Sequence, residues 1–180
     1  MRKIVNLYGG PGTGKSTTCA ALFAELKHAG VNAEMCREYV KNWVWEGRKI
    51  HPGDTSYFMA KQLREQRNLM RDGIGAIVTD SPLLLASWYG QSDPLSNCTL
   101  LSRELMRQQA ATCEMYGYTE EHIFLVRVKE YNPKGRLHTE DEAKEIDGKL
   151  KILLDSAGKS YHTVTASRNA AADILKILES

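Results

Sequence analysis

Residues 9–16 read Gly9-Gly10-Pro11-Gly12-Thr13-Gly14-Lys15-Ser16 and fit G-x-x-x-x-G-K-[S/T] at every fixed position. Glycines at this spacing let backbone N–H groups converge on phosphate oxygens with no side chain in the way. A helix starting at Lys15 adds the partial positive charge of its N-terminus. Lys15 then reaches the β- and γ-phosphates of a nucleoside triphosphate, and the Ser16 hydroxyl becomes a ligand for Mg²⁺. The expected nucleotide-binding set is Gly10, Gly12, Thr13, Gly14, Lys15, Ser16 and Thr17, with ATP and Mg²⁺ as the cofactors. The competing reading, a glycine-rich turn that binds nothing, does not explain the lysine and the hydroxyl at their places.

A second carboxylate site follows from Ala76-Ile77-Val78-Thr79-Asp80, an apolar strand with an acid at its C-terminal end. In a parallel sheet that end faces the same crevice as the phosphate loop. Asp80 is therefore expected to hold Mg²⁺ together with Ser16. The alternative is an N-cap, because Asp80-Ser81-Pro82 also resembles a turn into a helix. Ser81 stands where motor ATPases often carry a second acid, which argues against a dedicated hydrolase.

Acceptor chemistry falls to Arg37-Glu38-Tyr39, at the end of the next strand. Glu38 can take the proton of an attacking hydroxyl, and Arg37 can hold a substrate phosphate bidentately. Equally, Glu38 is an acid favoured by the start of a helix and Arg37 a solvated cation. Asp80 competes with Glu38 for the role of base. Trp43 and Trp45 offer faces for stacking a base. Two residues apart on a helix, they point in different directions, so at most one faces a site. Trp43 and, on the next helix, Gln62 are assigned to the acceptor, against core packing for the ring and plain solvation for the amide.

A polar loop at residues 130–136, with Pro133, Gly135, Lys134 and Arg136, opens a lid of about residues 130–147. An arginine arriving from a closing lid stabilises the charge of a migrating phosphoryl group. Arg136 is the expected residue, with Lys134 and Arg127 as helpers, against a merely solvated basic loop. Glu140/Lys144 and Glu145/Lys149 sit at i,i+4 and serve an exposed helix surface only.

The elements that must position these groups alternate along the chain. Strands are expected at Lys3–Tyr8, Asn32–Arg37, Gly75–Thr79, His122–Val128 and Tyr161–Ala166. Helices are expected at Lys15–Ala29, from Tyr39 to Gly47, from Asp54 to about Arg71, Ser96–Tyr116, Glu140–Ala157 and Ala170–Leu178. A loop is expected around Gly90–Pro94. Such alternation predicts crossovers and a parallel sheet of about five strands, an α/β three-layer fold in one domain over residues 1–180.

The whole chain sets outer bounds. Its 180 residues suit one domain, and 42% apolar with 26% charged residues are ordinary globular values. A formal charge of +2 does not by itself mark a nucleic-acid binder. Cys19, Cys36, Cys98 and Cys113 form no CxxC pair, which argues for reduced, mostly buried thiols. No stretch has the length of a membrane span, and the N-terminal apolar run is too short for a signal peptide. The expected location is the cytoplasm, with no membrane partner.

Gly9–Ser16, Arg37-Glu38-Tyr39, Thr79-Asp80-Ser81-Pro82 with Trp88-Tyr89-Gly90, and Gly135-Arg136 with Glu142-Ala143 and Ile146-Asp147 together resemble the NadR-type kinase group. That group holds the nicotinamide-riboside kinase domain and many AAA-type P-loop proteins of bacteriophages. The resemblance runs in order along most of the chain. It implies Lys15, Ser16, Asp80 and Arg136 in catalysis, with Glu38 less firmly placed. Its phage branch includes kinases of 5-hydroxymethyluracil in DNA, and compact size favours that branch, which would place the protein in the host cytoplasm. The expected activity is ATP-dependent transfer to a hydroxyl of a nucleoside-type acceptor, in its sharpest form a modified base in DNA. A free nucleoside, a nucleotide or nicotinamide riboside keeps the same chemistry. An ATP-driven switch or assembly module is the reading from another class.

Overall fold

The apolar run after Arg2 forms β1 (Lys3–Tyr8), in which Ile4 through Tyr8 are all buried, Asn6 included. A strand buried on both faces belongs at the centre of a sheet covered by helices on both sides. In the computed structural model, which describes residues 2–90, 98–128 and 139–179, β1 takes that place. The remaining strands are β2 (Ala33–Cys36), β3 (Ala76–Thr79), β4 (Thr119–Val126) and β5 (His162–Thr165). Their order is β2-β3-β1-β4-β5, with every neighbouring pair parallel.

Between them run α1 (Lys15–His28), α2 (Tyr39–Trp45), α3 (Asp54–Arg71), α4 (Leu83–Gly90), α5 (Cys98–Tyr116), α6 (Glu140–Ser156) and α7 (Ala170–Glu179). Alternate side chains of β1 point to opposite faces. Val5 and Leu7 meet Leu22 and Leu26 of α1 and Ile174 of α7. On the other face, Tyr8 and Phe124 pack with Leu84 of α4 and Leu150 of α6. Ile4 and Ile77 pack with Met70 of α3 and Cys113 of α5. The result is the expected three-layer α/β arrangement, whose strand ends all open onto one edge.

Most differences from the expected elements are a residue or two at the ends. Two are larger. β4 begins at Thr119 rather than His122, because Thr119, Glu120 and Glu121 pair with Lys3, Ile4 and Val5. Three polar residues hide that half of the strand. Glu121 meets Lys3 at 2.9 Å, and Glu120 accepts from Asn6, Gln109 and Lys159. The other is the helix at Leu83–Gly90, which no periodicity predicts. Its Leu83, Leu84, Leu85 and Ser87 are all buried, so no polar face marks a 3.6-residue period.

The pairs Glu140–Lys144 and Glu145–Lys149 form at 2.9 and 2.6 Å. Cys19, Cys36 and Cys113 are free and buried. Among the described residues no helix is long and apolar enough to cross a membrane.

Candidate active site

β1 ends at Tyr8, and the chain turns back into α1 through Gly9–Gly14. Gly12 and Gly14 have φ of +80° and +98°, which a side chain would strain, and Gly14 serves as the N-cap of α1. Gly14 has no side chain to cap the helix, and the first turn carries no acid. The helix N-terminus thus keeps its partial positive charge for an anion. Thr13 closes the loop, its Oγ1 donating to the Gly10 carbonyl at 2.5 Å. Lys15 Nζ folds over the loop and donates to the carbonyls of Gly9 and Gly10 at 2.5 and 3.1 Å.

Asp80 follows β3 directly and stands beside the first turn of α1. The Ser16 hydroxyl donates to its Oδ2 at 2.5 Å. Asp80 Oδ1 is shut off from solvent and has no partner among the described residues. A buried carboxylate oxygen without a donor is costly unless a ligand supplies the counter-charge. The hard-oxygen pair Ser16–Asp80, next to a phosphate loop, therefore fits Mg²⁺, which these two side chains would hold beside the phosphates.

Glu38 reaches the same place from β2. It is the N-cap of α2, yet its side chain makes no capping bond. The first N–H of that helix, on Tyr39, is taken instead by Gln62 Oε1 at 3.2 Å. Burial raises the Glu38 carboxyl above its ordinary 4.5, and the charge of Asp80 adds to the rise, while Lys15 and Lys41 oppose it. Burial likewise pushes the Lys15 ammonium down to about 8, against the pull of Glu38, Asp80 and Asp147 and with the help of Arg127. Six charged groups, Lys15, Glu38, Lys41, Asp80, Arg127 and Asp147, thus act on one small volume.

Beside them opens a cleft of about 270 Å³, lined by Ser16, Asp80, Arg37, Glu38, Lys41 and Trp45 among others. Arg37 is exposed at its wall. Of the two tryptophans it is Trp45, 81% exposed, that borders the cleft. Trp43 is turned away. Its ring packs edge-on to Phe58 at 5.0 Å and near Tyr57 at 6.0 Å, with the Arg48 guanidinium over it at 5.3 Å. Trp43, the ring expected to serve the acceptor, is therefore not among the residues that line the cleft.

Gln62 needs correction too. It is 2% exposed, with Nε2 donating to Cys36 Sγ at 3.2 Å and Oε1 serving Tyr39. Both ends of its amide are spent on holding α2 against α3 and β2, and none faces the cleft. Arg136 and Lys134 lie outside the described residues, as does most of the expected lid loop.

Two groups that spacing alone did not single out for the site complete it. Asp147, on α6, accepts the Gly10 N–H on Oδ1 at 2.5 Å and pairs through Oδ2 with Arg127 Nη2 at 3.1 Å. Tyr89, 40% exposed, lies within the field of Glu38 and Asp147, and partial burial followed by those two charges raises its phenol. A signal for Asp147 was present. It is an acid set one turn after Ala143 and beside Ile146 and Leu150, the buried stripe of α6.

A family model described as an AAA domain matches residues 4–170. No curated protein matches the sequence. Among solved structures, the NadR protein in complex with NR superposes with a TM-score of 0.65 at 16% identity. That likeness covers 99% of this chain and 52% of the other, so this chain spans about half the length of that protein. The Mycobacterium tuberculosis APS kinase CysC, in complex with AMPPNP and APS, superposes with a TM-score of 0.52 at 16% identity. There the coverage is 99% of this chain and 98% of the other. At this identity the likeness is one of fold alone, an α/β architecture that covers 99% of this chain.

Proposed function

The chain belongs to the AAA domain family, and from that premise we propose that it is a kinase transferring the γ-phosphate of ATP to a hydroxyl of a nucleoside-type acceptor. The observation that carries the reading is the shared wall. Ser16 and Asp80, which fit the metal, also line the cleft that holds Glu38, Arg37 and Trp45. An acceptor in that cleft lies beside the phosphates, so phosphate site and acceptor site are one continuous space. Proximity of this kind is most of what phosphoryl transfer asks of a protein.

In the proposed reaction the acceptor oxygen attacks the γ-phosphorus, forming the new O–P bond. The bond to the β,γ-bridging oxygen breaks, and ADP leaves with the electron pair. Glu38 accepts the hydroxyl proton. Its carboxyl, raised by burial and then by Asp80, suits a base better than an ordinary carboxylate, whereas Asp80 is already engaged by Ser16. Lys15 and the backbone of Gly12–Thr17 hold the triphosphate, and Arg136 is the arginine proposed to neutralise the migrating group. Ser16 and Asp80 would hold Mg²⁺, which when bound would supply charge neutralisation on the phosphate oxygens.

The sharpest form of the proposal takes 5-hydroxymethyluracil in phage DNA as acceptor. Arg37, Lys41 and the open ring of Trp45 support it, as cations and a stacking face at the rim of one cleft. The second reading makes the acceptor a free nucleoside, a nucleotide or nicotinamide riboside. It is favoured by the cleft's 270 Å³, which is at the small end for a ligand pocket, and by the likeness to NadR solved with NR. Labelled γ-phosphate transfer separates them, with hydroxymethyluracil DNA, unmodified DNA, nucleosides, nucleoside monophosphates and nicotinamide riboside offered in parallel. Label on one acceptor class supports the proposal. Acceptor-independent hydrolysis, unmoved by any of them, would make the chain an ATP-driven switch instead.

A further inference from the structure

We infer that Asp147 is a positioning residue for the nucleotide phosphates, tying α6 to the phosphate loop with its charge cancelled by Arg127, so that the two side chains act on bound nucleotide as one unit. This rests on the reading of Gly9–Ser16 as a nucleotide site. It does not depend on which acceptor is used.

A single carboxylate joins three segments. Asp147 Oδ1 takes the Gly10 N–H at 2.5 Å, and Oδ2 takes Arg127 Nη2 at 3.1 Å. The side chains of Arg127 and Asp147 are only 9% and 19% exposed. Arg127 follows β4 by one residue. Because Phe124 is in register with Tyr8, the strand end delivers Arg127 to the level of the phosphate loop.

The fit of α6 on the loop is close. A Cβ at position 10 would lie 2.7 Å from the Ala143 carbonyl oxygen and 2.8 Å from Asp147 Oδ1. Position 10 is one of the variable places of the phosphate-loop pattern. The glycine there is required by the approach of α6, not by the phosphates.

Charge makes the arrangement more than a strut. A lone carboxylate beside a polyphosphate site repels its ligand, and in a partly buried site that repulsion is weakly screened. Paired with Arg127, the carboxylate is neutralised and the guanidinium is held where Lys15 feels it. Loss of Arg127 alone should therefore harm nucleotide binding more than loss of both charges together. A purely structural Asp147 predicts the opposite, damage that accumulates.

The test is calorimetric binding of Mg·ADP to the full chain carrying Arg127→Met, Asp147→Asn or both, with melting curves to establish folding. Asn keeps an oxygen for Gly10 and removes only the charge. Arg127→Met is expected to weaken binding about tenfold or more, and the double variant to recover to within about threefold of the parent, a coupling typical of contacting charges. Arg127→Lys, the milder change, should bind more tightly than Arg127→Met. A double variant that binds as weakly as Arg127→Met, or more weakly, overturns the inference while leaving the nucleotide site standing. Absence of binding by the unsubstituted chain would overturn the nucleotide reading, and this inference with it.

Discussion

The hydroxyl of Ser16, in the first turn of α1, donates to Asp80 Oδ2 at 2.5 Å, while the other oxygen of Asp80 stays buried without a partner among the described residues. The carboxylate is thus half-satisfied by protein. Glu38 beside it is raised first by burial and further by Asp80.

A buried carboxylate oxygen without a donor costs the fold unless a ligand completes it. Asp80→Asn is expected to lower Mg²⁺-dependent phosphate transfer by about a hundredfold or more, the scale of losing one preorganised electrostatic contact. Its melting temperature without nucleotide should equal or exceed that of the parent. A clear fall in melting temperature would show Asp80 to be a structural cap instead.

Lys15 titrates within reach. Its folded value of about 8 lies below the ordinary 10.5, so the unfolded chain holds the proton more tightly. Stability from this group therefore rises with pH between those values, and below about 8 the buried charge weighs against the fold. Nucleotide binding needs the ammonium. Affinity for Mg·ADP should hold steady to about pH 7.5 and fall about tenfold by pH 9. In Lys15→Met the affinity should be low and this slope absent; an unchanged slope would place the titrating group elsewhere.

Glu38 sets the acid side. Burial and Asp80 both raise it, so the acid limb of turnover against pH should lie above the ordinary carboxylate value. Glu38→Gln should reduce turnover by about 10²–10⁴-fold, the range for a general base. The same substitution should flatten that limb. A persisting acid limb in Glu38→Gln would transfer the role to Asp80.

The corrected aromatic and amide assignments give opposite signatures. Trp45→Ala should raise the KM for the acceptor and leave the melting temperature near that of the parent. Trp43→Ala should destabilise by about 1–3 kcal/mol through loss of its ring contacts. Gln62→Leu leaves the Tyr39 N–H without its acceptor and should destabilise by about 1–3 kcal/mol. If Trp43→Ala changed KM alone, the packing described here would be wrong.

Read along the chain, the phosphate loop was legible because its chemistry is local. Glycines, lysine and hydroxyl lie within residues 9–16, and the turn that aims them needs only a strand before and a helix after. The same holds for Asp80, since the end of an apolar strand in a parallel sheet has one place to go. The α/β class and the parallel sheet follow from alternating periods. Spacing could not say which tryptophan turns outward, because Trp43 and Trp45 differ only in what α3 brings against them. Nor could it show that Gln62 is consumed in holding α2. The meeting of Asp147, Gly10 and Arg127 joins residues 137 positions apart in sequence at its widest. Only the packing of α6 onto the loop, after the crossovers have closed, makes them neighbours.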